Sequence, residues 1–254
     1  MNYKSLSLKI RKSILKIANS SQCSHIGSNL SIVDILSVLY GKFLKNKKNS
    51  FILSKGHACL AQYCFLKEMG IITDKTLNTF GKDGTILMSH ASHKVPGVNL
   101  STGSLGHGLP VATGIALANK INKKKSKMFV LLSDGELDEG SNWESILFSC
   151  HQKLNNLVVI IDYNKLQSID TVKNTLNLEP LDKKFKSFGF KVVNINGHNH
   201  DQIFKALNSK SLKPLVVIAN TIKGKGVSFM ENSVLWHYKS LNSEDYQKAL
   251  KVVK

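Results

Sequence analysis

The sequence predicts an α/β protein built on an open, mostly parallel sheet with helices on both faces. Three observations predict it. Short apolar runs recur at Met128–Leu132, Leu157–Ile161 and 214–222, each bounded as a buried strand should be. Between the first two lies a segment with helical periodicity, so residues 128–167 read as a βαβ unit. Glycine, histidine and acidic residues gather immediately after these runs, at the carboxyl ends of strands, where open parallel sheets bind ligands.

Taken in order, residues 4–19 form a basic amphipathic helix with Leu8, Leu15 and Ile17 among its apolar positions. Ser24, His25 and Gly27 fall in a loop, and a helix starts near Ser31 with Asp34 favourable in its first turn. Residues 51–60, FILSKGHACL, read as a short strand and a Gly-His turn entering a helix that runs to about Gly70, which puts His57 at a strand end. A helix over 73–80 precedes a long loop carrying His90 and His93, the latter read as a surface residue. STGSLGHG, residues 101–108, is a glycine-rich loop opening a helix over 109–120. Such a loop lets backbone approach a ligand closely and offers amide groups at a helix start.

The run Met128–Leu132 ends in SDGELDEG, with Asp134, Glu136, Asp138 and Glu139 close together. A helix follows from about Ser141 to Lys153, with Trp143, Ile146, Leu147 and Cys150 on one face, and then the strand that ends in Asp162-Tyr163-Asn164. Residues 168–180 read as loop, 190–195 as a strand, 200–208 as a helix opened near Asn199, and 214–222 as a further buried strand. KGKGVSFMENSVLWHY, with His237, follows that strand, and an amphipathic helix spans about 243–252.

Length allows one large or two small domains, and the absence of repeats or a linker favours a single domain over 1–254. No apolar run reaches the roughly 18 residues of a membrane span, and the basic start MNYKSLSLKIRKSILK has no secretory h-region. Cysteines 23, 59, 64 and 150 form no CxxC pair, which predicts buried thiols and a cytoplasmic protein. With 35 Lys+Arg against 17 Asp+Glu the net charge is +18, which raises nucleic acid as a partner. Yet Arg11 is the sole arginine, the residue preferred for bidentate phosphate and base contacts, and the lysine clusters at 45–48, 123–127 and 183–186 are short. They read as a solvated surface whose field draws in anionic substrates or an acidic partner subunit. Neither a nucleic acid nor a membrane is expected as partner.

The acidic turn has two readings besides a solvated one. An EF-hand loop fails, because its sixth position is Glu139 in place of glycine and its twelfth is Ser145 in place of glutamate. The other is an oxygen-ligand metal site. Asp134 and Asn164 end neighbouring strands of one βαβ unit and can stand together although thirty positions apart. A carboxylate, an amide oxygen and nearby carbonyls suit Mg²⁺.

Motifs spread along the chain, in order, resemble those of the transketolases, which are thiamine-diphosphate enzymes. SHIG at 24–27 stands for a SGHxGG-type loop, FILSKGHA for LSxGHA, and His90 for the histidine of GHP, with Ser89 and Ala91 replacing its glycine and proline. PGVNLSTGSLGHG resembles the cofactor-contacting element. The stretch 133–164 resembles GDG…EG…WEA…NL…DxN with Ser133 at the first glycine, and KGKG…WH at 223–237 completes the set. The resemblance covers roughly residues 8–240. It implies Asp134, Asn164 and the Leu166 carbonyl as ligands of Mg²⁺ (or Ca²⁺ or Mn²⁺). It implies His57, Gly103, Leu105, Asp134, Gly135, Glu139, Asn164, Leu166 and His237 as contacts of thiamine diphosphate. His25, His57, His90 and His237 would be the catalytic histidines, and Glu139 and Glu144 buried acids near a subunit contact.

Only the diphosphate-binding part of a transketolase is matched. The resemblance therefore implies a C-terminal partner subunit carrying the pyrimidine-binding domain, in an α2β2 heterotetramer that transfers a two-carbon ketol unit between sugars or sugar phosphates. The altered residues around His90 point to an unusual substrate, such as a modified sugar. Two alternatives remain: a subunit of a deoxyxylulose-phosphate synthase or 2-oxo acid decarboxylating enzyme, and a non-catalytic basic binding protein.

Overall fold

The computed structural model describes residues 2–45 and 48–254, so Lys47 of the 45–48 lysine cluster lies outside the described residues. Five strands form a sheet in the order β1-β2-β3-β5-β4, every pairing parallel. They are β1 (Ser50–Leu53), β2 (Met128–Ser133), β3 (Leu157–Tyr163), β4 (Lys191–Asn196) and β5 (Leu215–Asn220). The helices, in chain order, are α1 (Tyr3–Ser21), α2 (Ile26–Ser31), α3 (Val33–Val38), α4 (Cys59–Glu68), α5 (Asp74–Leu77), α6 (Gly108–Ile121), α7 (Gly140–His151), α8 (Val172–Thr175), α9 (Leu181–Phe188), α10 (His200–Leu207) and α11 (Ser243–Val252).

The central strands are continuous apolar runs because both their faces are covered. Phe129, Leu131, Val158, Ile160, Leu215 and Val217 pack with α1, α3, α4 and α10. The alternate residues, Val130, Leu132, Val159, Ile161, Val216 and Ile218, pack with α6, α7 and α9. Strand β4, at the edge, keeps only Ile195 buried.

The strand order creates the site. From β3 the chain runs over one face through α9 to the edge strand β4. It returns over the other face through α10 to β5, which lies between β3 and β4. Crossovers leaving by opposite faces open a crevice at the carboxyl ends of β3 and β5, the usual ligand position in such sheets. The lysine cluster 123–127 precedes β2, and 183–186 lies on α9 before β4, so both sit toward the opposite, amino-terminal edge.

Three local expectations change. The helix placed near Ser31 begins at Ile26 and runs in two pieces, broken at Ile32, before a wide π-type turn at Leu39–Phe43. The segment 168–180 contains α8, a single turn capped by the Thr171 hydroxyl accepting from the Asn174 amide. On α7 the buried face is Asn142, Ser145, Ile146 and Ser149, while Leu147 is 59% exposed and Trp143 and Cys150 are half-buried. The rotation has a polar cause. Asn142 donates to the Glu136 carbonyl at 2.5 Å, and Ser149 pairs with Thr113 of α6 at 3.1 Å. Satisfying these buried groups inward leaves Leu147 and Phe148 facing out.

Candidate active site

The loops that leave β1, β2, β3 and β5 meet over the crevice, joined by the α1–α2 loop. After β1, Gly56 passes so close to the glycine-rich loop that a Cβ there would fall 2.2 Å from the Thr102 carbonyl oxygen. Only glycine allows this approach, and it sets His57 at the strand end. The loop itself is tied from below by Glu136. This buried carboxylate accepts from Ser54 Oγ at 2.5 Å and from the Gly106 amide at 3.1 Å.

After β2 and β3, Asp134 bridges the two strand ends: Oδ1 accepts from the Gly135 amide at 2.8 Å and Oδ2 from the Lys165 amide at 2.6 Å. Asn164 is oriented by Asp162, whose Oδ2 accepts from Asn164 Nδ2 at 3.2 Å, while Asn164 Oδ1 accepts from the Leu166 amide. Asp162 is itself held by Lys55 Nζ at 2.6 Å, by Ser31 Oγ at 2.7 Å and by Thr221 Oγ1. Burial alone would raise the Asp162 carboxyl, but the Lys55 charge and these hydrogen bonds hold it below the usual carboxylate range.

Past β5, Lys223 Nζ donates to the carbonyls of Leu166 and Gln167 at 3.1 and 2.9 Å and lies 3.0 Å from His237 Nδ1. His25 sits in the left-handed region (φ 64), and its amide donates to the His237 carbonyl, which knits the α1–α2 loop to the segment after β5. The His25 ring lies 5.3, 5.8 and 4.9 Å from the rings of His57, His90 and His237, centroid to centroid.

These loops enclose a cavity of about 200 Å³ lined by His25, His57, His90, His237, Gly103, Leu105, Asp134, Gly135, Asn164 and Leu166. It thus brings together every residue expected from the sequence except Glu139, which is exposed on the chain surface, as is Glu144. The buried acid of that turn is Glu136. Lys55 and Lys223, which lie in the FILSKGHA and KGKG motifs without being marked there as site residues, also line the cavity, as do Ser28, Gln167 and Ser168, which no motif marks. A larger cavity of about 780 Å³ shares Asn164 and Leu166 but contains none of the histidines.

Burial, with neighbouring cationic groups second, lowers His25 to about 4 and His237 to about 3, and pushes His57 well below its ordinary value. These rings are neutral at neutral pH and able to accept a proton or donate one N–H. Burial and then the Lys55 charge lower Lys223 to about 8.

The donor set fits a small divalent cation. Asp134 is almost wholly buried, and among the described residues no cationic side chain is bonded to it. Burial, and then the Asp162 charge, raise its carboxyl to about 7. A buried carboxylate beside an amide oxygen and a carbonyl is a hard-oxygen set of the kind Mg²⁺ takes. Lys55 and Lys223 add two ammonium groups to the glycine-lined wall, Lys55 paired with Asp162 and Lys223 bonded to the Leu166 and Gln167 carbonyls, so the wall has a positive field suited to an anion.

Residues 4–253 match the family "Transketolase, thiamine diphosphate binding domain". The chain is similar to one subunit of the apulose-4-phosphate transketolase of Actinobacillus succinogenes, with 43% identity over 96% of this chain and 92% of that protein. It is 36% identical to the 6-deoxy-6-sulfo-D-fructose transketolase subunit SqwG of Clostridium sp. (strain MSTE9), over 95% of this chain and 92% of that one. Among solved structures it superposes on the transketolases of Leishmania mexicana (TM-score 0.90, 25% identity) and Campylobacter jejuni (TM-score 0.87, 30% identity). The superpositions cover 98% of this chain in both cases and only 41% and 42% of those longer chains. The crevice, its acidic turn and its converging histidines therefore stand in a chain that belongs to the thiamine-diphosphate-binding domain family of the transketolases.

Proposed function

We propose that the chain is the diphosphate-binding subunit of a split transketolase. It would act with a second subunit to move a two-carbon ketol unit from a ketose donor to an aldose acceptor. The observation that carries this reading is one cavity in which His25, His57, His90 and His237 converge beside Asp134, Asn164 and Leu166. Two relatives named as subunits of an apulose-4-phosphate transketolase, and one named as a subunit of a sulfofructose transketolase, are matched over nearly their whole length. Neither alternative raised by the sequence, another thiamine enzyme or a non-catalytic basic protein, has comparable support.

Asp134, Asn164 and the Leu166 carbonyl would hold Mg²⁺, and the amides of the glycine loop would hold the diphosphate in the positive field of Lys55 and Lys223. Thiamine diphosphate, when bound, supplies the carbanion centre that cleaves and forms carbon–carbon bonds. Lys223 donates to His237 Nδ1 and so leaves Nε2–H as the donor toward substrate oxygens. His25 and His57, neutral and close by, are placed to take protons from sugar hydroxyls and return them. His90, beside Gly103 on the cavity wall, would join the other histidines that face the bound cofactor.

The whole chain, 1–254, would form one domain of a cytoplasmic enzyme. The four free cysteines accord with a reducing compartment, and among the described residues no helix is long and apolar enough to cross a membrane. The aminopyrimidine end of the cofactor would be held outside this chain's histidine cavity. The partner would be the C-terminal, pyrimidine-binding subunit, in an α2β2 heterotetramer, since two-fold assemblies are the commonest. Sugar phosphates or modified ketoses are the substrates that the named relatives favour.

The test is ketol transfer by the purified chain alone and then with the product of the neighbouring transketolase-like gene. It is paired with calorimetry of thiamine diphosphate with and without Mg²⁺. Activity appearing only on mixing supports the reading. Full turnover by this chain alone, or cofactor binding indifferent to Mg²⁺ and to Asp134→Ala, refutes it.

A further inference from the structure

Outside the histidine cavity, one charged cluster ties distant segments of the chain together. Arg11 of α1, the sole arginine, donates from Nη2 and Nη1 to the carboxylate of Asp34 on α3 at 2.6 and 3.2 Å. Both side chains are buried. Asp34 Oδ2 also lies 2.8 Å from Nδ1 of His198, in the turn after β4, and its Oδ1 lies 3.2 Å from Nε2 of His200. Gly197 brings that turn against the end of β5, since a Cβ there would fall 2.4 Å from Thr221 Cγ2.

The cluster grips the segment after β5 at two backbone atoms. The Ile222 amide donates to His198 Nε2 at 2.8 Å, and Arg11 Nε donates to the Lys225 carbonyl at 3.0 Å. Lys223 stands between these two points, and its ammonium reaches the Leu166 and Gln167 carbonyls and Nδ1 of His237. A ring nitrogen that accepts from an amide carries no proton. His198 Nδ1 therefore bears the hydrogen and donates it to Asp34, so the carboxylate sets the tautomer that lets His198 accept.

We propose that His198, oriented by Asp34 and Arg11, is a positioning residue of the site: it fixes the Ile222 amide and with it the reach of Lys223 to His237. It touches neither cofactor nor substrate and acts through Lys223. Its bearing on the cofactor rests on the transketolase reading, whereas the link from His198 to His237 stands on contacts within the chain.

Two variants separate the two ends of the imidazole. His198→Gln puts an amide oxygen near the place of Nε2 and keeps an acceptor for Ile222. His198→Asn keeps a donor for Asp34 near the place of Nδ1 and loses that acceptor. Nitrogen-resolved NMR of the full chain without cofactor reads the tautomer of His237, its signal assigned by its loss in His237→Gln. Wild type and His198→Gln should show Nε2–H, and His198→Asn a mixture of tautomers. Calorimetry of thiamine diphosphate and Mg²⁺ on the assembled complex is the second readout. His198→Asn should weaken binding by about tenfold, the effect of one buried hydrogen bond left unmade, and by less than about twofold in a Lys223→Met background. An unchanged His237 tautomer in His198→Asn, or an equal loss of affinity with and without Lys223, overturns the proposal. Should His198→Asn fail to fold, His198→Gln decides alone: loss of the Nε2–H signature there also overturns it. A wild-type complex that binds no cofactor would sink the transketolase reading, and the tautomer measurement would still decide the proposal.

Discussion

Lys223 Nζ lies 3.0 Å from Nδ1 of His237 while also donating to the Leu166 and Gln167 carbonyls. One buried ammonium thus fixes the tautomer of a histidine and braces the loop that carries a proposed metal ligand. Replacing it with methionine keeps the volume and removes the charge. Lys223→Met should weaken thiamine diphosphate binding to the complex by roughly 10-fold or more, through the lost positive charge and the released Leu166–Gln167 loop. The fold should stay intact, since an apolar side chain of similar size tolerates burial. Calorimetry with the circular dichroism of the variant checks both halves. Wild-type affinity in Lys223→Met would show that the ammonium faces no phosphate.

Glu136 is the pin between the end of β1 and the glycine loop, through Ser54 Oγ and the Gly106 amide. Burial pushes its carboxyl up, against the hydrogen bonds that pull it down. Glu136→Ala would orphan both donors and should cost about 1–3 kcal/mol per buried group left without a partner. Glu136→Gln keeps an acceptor and should cost less. Urea unfolding of the isolated chain measures this without any cofactor. Equal stability of Glu136→Ala and wild type would mean that water replaces the carboxylate.

How much of this was legible in the sequence depends on the kind of contact. His25, His57 and His90 stand out through the motifs that resemble those of the transketolases, and Asp134 and Asn164 also because each ends a strand of one βαβ unit. Lys55 and Lys223 fall inside the FILSKGHA and KGKG motifs, yet neither is read as a site residue, because 35 Lys+Arg in the chain give a buried lysine no contrast with a solvated one. Glu136, Asp138 and Glu139 are likewise indistinguishable in a row of acids, and only the tertiary fold buries the first and exposes the last. Leu147 misled for a related reason. Helical periodicity marks an apolar stripe, but the hydrogen bonds of Asn142 and Ser149 decide which way α7 turns.

The histidine ring predicts an acid limb in stability. His25 and His237 have folded values of about 4 and 3, depressed from an unfolded value of roughly 6.5. Between those values the unfolded chain binds protons that the folded chain refuses, so stability rises with pH there. Their contribution is fully present above about pH 6.5 and is lost as pH falls through about 4 and then 3. Urea midpoints should therefore be flat from pH 7 to 8 with respect to these groups and drop steadily below about 6. His25→Asn, which cannot be protonated in this range, should shallow the drop. A drop of the same depth in His25→Asn would assign it to other groups.

The last prediction concerns the surface that α6 and α7 leave open. Val111 on α6 and Leu147 and Phe148 on α7 are exposed, although the two helices pack against each other and both begin at loops of the site. Within this chain these side chains stabilise little, so Leu147→Glu and Phe148→Glu should shift stability by less than about 0.5 kcal/mol. Exposed large apolar side chains are what a second subunit can cover. A buried, unpaired glutamate at such a contact is costly, so each variant should weaken association with the partner subunit by about tenfold or more. Sedimentation of the mixture should show the assembled species for wild type and separate subunits for the variants at the same concentration. Loss of association with unchanged unfolding midpoints would locate the contact on α7. Variants that assemble as wild type does would move it elsewhere on the chain.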